Sequence, residues 1–315
     1  EKVVVAGAVK VVVQIATEDG ITQDLARSCS GILRILCDDS SIIKYLMRDG
    51  LVKSLISLVV HEDSQVQQTI AEAMCALFSK EKFTQDLISL GCVSVLVQLS
   101  TEYISEVTAE WCAYALLSLC YGGVCPSGIL SDAILPCVLT LCQSNGGELK
   151  TRIFCATALA ELTRMPDISN TNTIKMLVYL LRNEKDEEVK TDCATALYNL
   201  AVSEANCEEM LGSGALLPII SLTKSHHLAT KIRCAAILSR LTSYPEYHDI
   251  LSKEDLRRLL NLSTIDALET QKRVVMTLSN LSVNVKLRNM LLEIEETNEA
   301  IKLLISKPDE SIREG

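Results

Sequence analysis

One segment recurs seven times in this chain: RSCSGILRILC from Arg27, TIAEAMCALFS from Thr69, EWCAYALLSLC from Glu110, IFCATALAELT from Ile153, TDCATALYNLA from Thr191, IRCAAILSRLT from Ile232 and KRVVMTLSNLS from Lys272. The copies align on Leu36, Leu77, Leu119, Leu162, Leu200, Leu241 and Leu281, at successive spacings of 41, 42, 43, 38, 41 and 40 residues. A second motif precedes each: VKVVVQIA from Val9, VKSLISLV from Val52, VSVLVQLS from Val93, ILPCVLTLC from Ile134, IKMLVYLL from Ile174, LLPIISLT from Leu216 and LRRLLNLS from Leu256. AIKLLIS from Ala300 is an eighth copy of it. Self-similarity at such a period means that each unit is one supersecondary element too small to bury its own apolar face. Stacking of neighbours is then obligatory.

The repeated segment is helical by its periodicity. A small or sulfur residue, an Ala, a Leu and the aligned Leu fall at offsets 0, 1, 4 and 7, as in Cys193, Ala194, Leu197 and Leu200. That spacing draws a single apolar stripe along a helix, where a strand would need alternation. Gly7, Gly50, Gly91 and Gly214 stand just before the second motif, where the chain must turn sharply. Pro136 and Pro218 fall at or near a first helical turn, where a missing N–H costs least. Polar stretches such as HEDSQ, NGGE and NEKDEE separate the two long helices of a repeat.

A repeat of about 40 residues with a Gly turn, a Leu-rich helix, an acidic loop and a last helix reading CATALYNLA resembles the armadillo family. HEAT repeats have an overlapping period; the Gly turn and the NLA and NLS endings at Asn199 and Asn280 favour armadillo. The resemblance implies an all-α fold, a right-handed α-solenoid or superhelix of stacked armadillo-type repeats. It divides residues 1–315 into a single array of repeats at approximately 7–49, 50–90, 91–132, 133–172, 173–213, 214–253 and 254–295, plus the start of an eighth. EKVVVAG reads as the close of a preceding repeat and the far end falls inside one, so the chain is expected to be a piece of a larger protein.

Composition narrows the function. Aromatic residues make up 4% of the chain and the thirteen cysteines lie inside apolar helical patterns, which points to thin helix-on-helix layers in a reducing compartment, with no disulfide framework. A net charge of −10 argues against nucleic acid, whose phosphates demand a basic face. Between Lys53 and Lys150 the only basic residues are Lys80 and Lys82, against ten carboxylates, an excess that suits a solvated face or a basic partner. No apolar run is long enough to span a bilayer, so membrane insertion is not expected and the chain reads as cytoplasmic, with a nuclear or ciliary and cytoskeletal setting also open.

Candidate chemistry is sparse. Cys29, Cys112, Cys155, Cys193 and Cys234 occupy one position of the repeated helix and read as packing residues. Cys120, Cys125, Cys137 and Cys142 make a C-x4-C pair of pairs, but residues five apart on a helix point in different directions, so no metal site is expected. His61, His226, His227 and His248 form no imidazole constellation, and YGGVCPSG from Tyr121 lacks the Lys-Ser/Thr of a phosphate loop. The chain is therefore expected to be no enzyme and to need no cofactor.

What remains is surface. In armadillo proteins the last helices line a groove that receives extended peptides, and the Asn of the NL pair bonds the peptide backbone. The ladder here reads Ile35, Ala76, Ser118, Glu161, Asn199, Arg240 and Asn280, so two of seven positions keep Asn. Positions where importin-α-like receptors place Trp hold Gly31, Glu72, Tyr114, Thr157, Thr195, Ala236 and Met276, which argues against a nuclear-localisation-signal reader. Seven residues before the ladder stand Ser28, Thr69, Trp111, Phe154, Asp192, Arg233 and Arg273. The expected partner-binding groove is Trp111, Tyr114 and Phe154 followed by Asn199, Arg233, Arg240, Arg273 and Asn280, its arginines either open to acidic residues of a partner or paired with Asp192 and Glu161. The leading expectation is a scaffold or adaptor for protein segments in a cytoskeletal or ciliary assembly. A receptor or chaperone for peptide cargo and clients is the first alternative, and the recognition arm of an enzyme such as a ubiquitin ligase the second.

Overall fold

The computed structural model describes residues 7–101, 103–121, 123, 125–143, 148–165, 168 and 171–306, and among these none is in a strand. The chain divides into two compact units, residues 1–167 and 168–315.

In the first unit the helices are α1 Val9–Ala16, α2 Gln23–Asp38, α3 Ile43–Arg48, α4 Leu51–Val59, α5 Ser64–Phe78, α6 Glu81–Ser89, α7 Val93–Leu99, α8 Glu106–Cys120, α9 Ser127–Ile129, α10 Leu135–Gln143 and α11 Leu149–Leu162. The repeated segments are α2, α5, α8 and α11, and each packs on the next; α1, α4 and α7 form a second row behind them. The second unit contains α12 Thr171–Asn183, α13 Glu187–Leu200, α14 Glu204–Gly212, α15 Leu216–Leu222, α16 Leu228–Leu241, α17 Lys253–Asn261, α18 Leu268–Ser282, α19 Val285–Leu292 and α20 Glu295–Ile305. Its last-helix row is α13, α16 and α18, backed by α12, α15, α17 and α20. The fold is all-α and built from helical repeats.

The stripe is buried as its spacing demands: Cys193, Ala194 and Leu197 are fully enclosed in α13, as are Cys155, Ala156, Leu159 and Leu162 in α11. Small residues at the first two offsets let adjacent last helices approach, and Leu fills the seam behind them. A short first helix, such as α3, α6, α14 or α19, completes the repeat, with a 3-10 turn at Pro245–Ile250 in that place before α17.

The glycine turn has a specific cause. Gly91 and Gly214 adopt φ +85° and +72°, and each is the left-handed residue that ends a first helix. The N–H of Gly214 donates to Leu211 and that of Ala215 to Met210, both at 2.8 Å, while Gly91 and Cys92 repeat the pattern on Ile88 and Leu87 at 2.9 and 3.1 Å. This paired closure satisfies two orphan carbonyls and needs a residue without a Cβ.

Pro136 is the second residue of α10, at a helix start as its sequence position suggested, but α10 continues a longer helical run. The helical run begins at Ser127, so the proline lies well inside it, and a π-helical turn at Leu130–Ile134 immediately precedes it. A proline inside a helix removes one donor and crowds the preceding turn, and a widened turn accommodates both. Pro218 is the third residue of α15, as its sequence position suggested.

Two of the acidic loops supply helix caps, HEDSQ through Asp63 and NEKDEE through Asp186, while Glu148 precedes α11 without a side-chain cap and residues 144–147 lie outside the described residues. Asp186 accepts from the N–H groups of Glu188 and Val189 at the start of α13. Asp63 accepts from Val66 N at 2.9 Å at the start of α5, and it also receives Arg27 Nη2 at 2.7 Å and Gln23 Nε2, both from the neighbouring α2. The Arg27 guanidinium, then the Val66 N–H, hold the Asp63 carboxyl well below the usual carboxylate range. A depressed carboxyl contributes stability that is complete above its unfolded value of about 4 and is lost as pH falls below it. Asp63→Asn should therefore lower Tm at pH 7, and its deficit against the unsubstituted protein should close as pH falls below about 4. Thermal melts across that range check this; a deficit independent of pH would show that only the cap geometry matters.

Candidate functional site

The last-helix face of the first unit carries an aromatic pair. Tyr114 on α8 and Phe154 on α11 meet edge to face, centroids 5.2 Å apart and planes at 73°. Tyr114 remains 38% exposed, so the pair is reachable from solvent. Trp111, one turn back on α8, is half-buried. Toward α2 the same row holds an exposed Ile35, and Glu72 is held by Arg34 Nε at 3.0 Å and Gln68 Nε2 at 3.1 Å.

In the second unit the ladder residues have structural partners. Asn280 Nδ2 donates to the Ser239 carbonyl at 3.1 Å, and Arg240 Nη1 donates to the Ala201 carbonyl. Each reaches from one last helix to the carbonyl-rich end of the last helix before it, and Lys80 does the same in the first unit, its Nζ 2.8 Å from the Cys37 carbonyl. A cation or amide at the negative end of a helix satisfies carbonyls that the helix leaves unpaired. Asn199 is half-buried and also has a partner.

The two other arginines differ although they occupy equivalent positions. Arg273 is held by Glu269, one turn earlier on α18, with Nη2 to carboxylate at 2.8 Å. The residue one turn before Arg233 is Ala229, and among the described residues Arg233 has no hydrogen bond or ion pair. Glu161, the other acid considered for these arginines, is taken by Arg164 at 2.8 Å. Arg233 and Arg273 both line a cleft of ≈ 300 Å³ between α16 and α18, with Tyr198, Ile232 and Thr270. Tyr198, Ile232 and Thr270 were not singled out from sequence. The repeat alignment is the signal that would have found Thr270, since Thr108, Thr151 and Thr230 share its position.

All thirteen cysteines are buried free thiols. Burial pushes Cys234 up to about 12 and Cys120 higher, so these thiols are neutral and unreactive. Among the described residues no three His, Cys, Asp or Glu side chains are grouped to hold a metal ion, and no helix is long and apolar enough to cross a membrane. His226 and His227 are exposed; His248 is buried with Nε2 2.7 Å from the Thr242 carbonyl.

Comparison with known proteins agrees with this architecture. Residues 167–202 match the family model of the armadillo/beta-catenin-like repeat. No curated protein matches the chain in sequence. Among solved structures, UNC-45 from Drosophila melanogaster aligns with a TM-score of 0.69 at 16% identity, over 97% of this chain and 44% of that one. A second structure, of the UNC-45 chaperone that binds and folds muscle myosin, aligns at 0.66 and 19% identity over 98% of this chain and 38% of its own. An engineered protein aligns at 0.54 and 18% identity over 97% of this chain and 86% of that chain. This chain thus spans less than half the length of the UNC-45 chains it resembles. It carries an armadillo repeat at residues 167–202, within a fold made throughout of helical repeats.

Proposed function

We propose that the chain is a non-catalytic array that binds protein segments along the last-helix faces of its two units, as a scaffold or adaptor in a cytoplasmic, cytoskeletal or ciliary assembly. The observation that carries this reading is the chemistry left open on those faces. One unit presents an edge-to-face aromatic pair with Tyr114 exposed, the other an arginine, Arg233, with no hydrogen bond or ion pair among the described residues, beside an exposed tyrosine. Aromatic and arginine side chains are those most enriched among residues that dominate binding energy. The thiols are buried, and the ladder donors Arg240 and Asn280, which could have bonded a peptide, are instead spent between repeats, so affinity must come from side-chain anchors.

The second reading, a receptor or chaperone for clients, uses the same faces. It is favoured by the fold shared with UNC-45 over nearly the whole chain, and a chaperone needs several weak anchors where an adaptor needs a few strong ones.

Affinity purification followed by cross-linking mass spectrometry would identify the partner, and Tyr114→Ala should then weaken binding of the purified partner about tenfold while leaving Tm unchanged. Unaltered affinity, with cross-links confined to the first helices, would move the binding site off the last-helix faces. Weak binding of many unrelated unfolded chains would favour the client receptor.

A further inference from the structure

The cleft between α16 and α18 departs from the seam before it in two ways. At the α13/α16 seam Thr230 Oγ1 lies 3.0 Å from Thr191 Oγ1, so the buried hydroxyl of one last helix is met by a hydroxyl of its neighbour. One repeat later Thr270 takes the place of Thr230, but the position of Thr191 is filled by Ile232. Thr270 is 1% exposed and its hydroxyl has no partner among the described residues. Thr151, at the same register on α11, is likewise unpaired among the described residues, so the missing hydroxyl partner marks looser packing at this seam and the charge beside it sets the cleft apart. The second departure is Arg233, which lacks the carboxylate one turn earlier that neutralises Arg273. Tyr198 lines the same cleft and is exposed.

Resting on the reading that last-helix faces bind partner segments, we infer that this cleft is a subsite for one acidic side chain of such a segment, its carboxylate taken by Arg233. The guanidinium offers a planar pair of donors that matches a carboxylate, and Glu269 does not compete because Arg273 already occupies it. Tyr198 and Ile232 supply apolar surface for the methylene groups of that side chain. A basic side chain would be repelled by two arginines against one carboxylate.

The test is selection of random short peptides displayed against the whole protein, repeated with Arg233→Glu and with Tyr198→Ala. Selected peptides should carry Asp or Glu at one fixed position. Changing that residue to Gln, or Arg233 to Glu, should cost about tenfold in Kd, with the loss shrinking as salt rises. A peptide bearing Lys there should regain affinity for the Arg233→Glu protein, and an amidated C-terminus should make no difference, which separates a side-chain carboxylate from a terminal one. Peptides weakened by Tyr198→Ala but lacking any acidic position, or indifferent to Arg233→Glu, would overturn the carboxylate subsite and leave the last-helix face as a binding surface. Peptides indifferent to both substitutions, or none retained at all, would overturn both.

Discussion

Leu238→Ala is expected to destabilise the protein by about 3 kcal/mol, and Cys234→Ala, one turn earlier on the same stripe, by about 1 kcal/mol or less. Both side chains are fully enclosed in α16. The leucine fills the seam between rows, and the rigid helices on each side cannot collapse into the space it leaves. The cysteine marks where neighbouring helices approach, and its thiol, pushed up to about 12 by burial, acts as a small apolar group whose loss removes one atom. Cys234→Asp should instead cost more than about 4 kcal/mol, because a charge would be enclosed without a partner. Urea unfolding of the three variants gives the order directly. An alanine at 234 as harmful as one at 238 would mean that the thiol has a role beyond packing. A companion measurement follows from the burial of all thirteen thiols: a thiol reagent at pH 8 should label none of them rapidly in the native protein and all of them after unfolding.

The helices, their stripe and the Gly turns were legible in the sequence because each rests on local spacing. Offsets of 0, 1, 4 and 7 fix a helix face whatever lies against it, and the seven copies corroborate one another. What was not legible lies one repeat away. Arg240 reaches Ala201, Asn280 reaches Ser239, Lys80 reaches Cys37 and Lys150 reaches Glu110, each across roughly one period. No local pattern announces such a contact, because the acceptor is usually a backbone carbonyl, which every residue has. The residues of the expected groove have different surroundings for the same reason. Tyr114 and Phe154 do meet, since two large rings on adjacent last helices at neighbouring register have little choice. Arg240 and Asn280 share a register with peptide-binding asparagines, but their side chains turn to the preceding helix end, where carbonyls are left unpaired. Arg233 and Arg273 looked equivalent, and a single residue, Ala229 against Glu269, separates an open cation from a closed pair.

Gly214→Ala is expected to be more damaging than Gly91→Ala, although both glycines close a first helix in the same way. An L-residue forced to positive φ costs about 1–2 kcal/mol, and that part is common to the two positions, at +72° and +85°. The surroundings differ. A Cβ at Gly91 meets nothing within 4 Å, whereas one at Gly214 collides with Arg182 Nη2. That guanidinium comes from the end of α12 and donates to the Ser213 and Gly214 carbonyls at 3.0 and 2.9 Å, clasping the turn to the helix behind it. The arginine is exposed and flexible, so it can swing away, but the clasp is then lost, adding about 1 kcal/mol. Arg182→Ala alone should cost a similar amount, and in the Arg182→Ala background the two glycine substitutions should become equal. The four-variant cycle, read by urea unfolding, isolates the clasp from the backbone strain. Equal losses at Gly91 and Gly214 with Arg182 in place would show that the clasp contributes nothing, leaving the left-handed turn alone to explain why glycine stands between first and second helices.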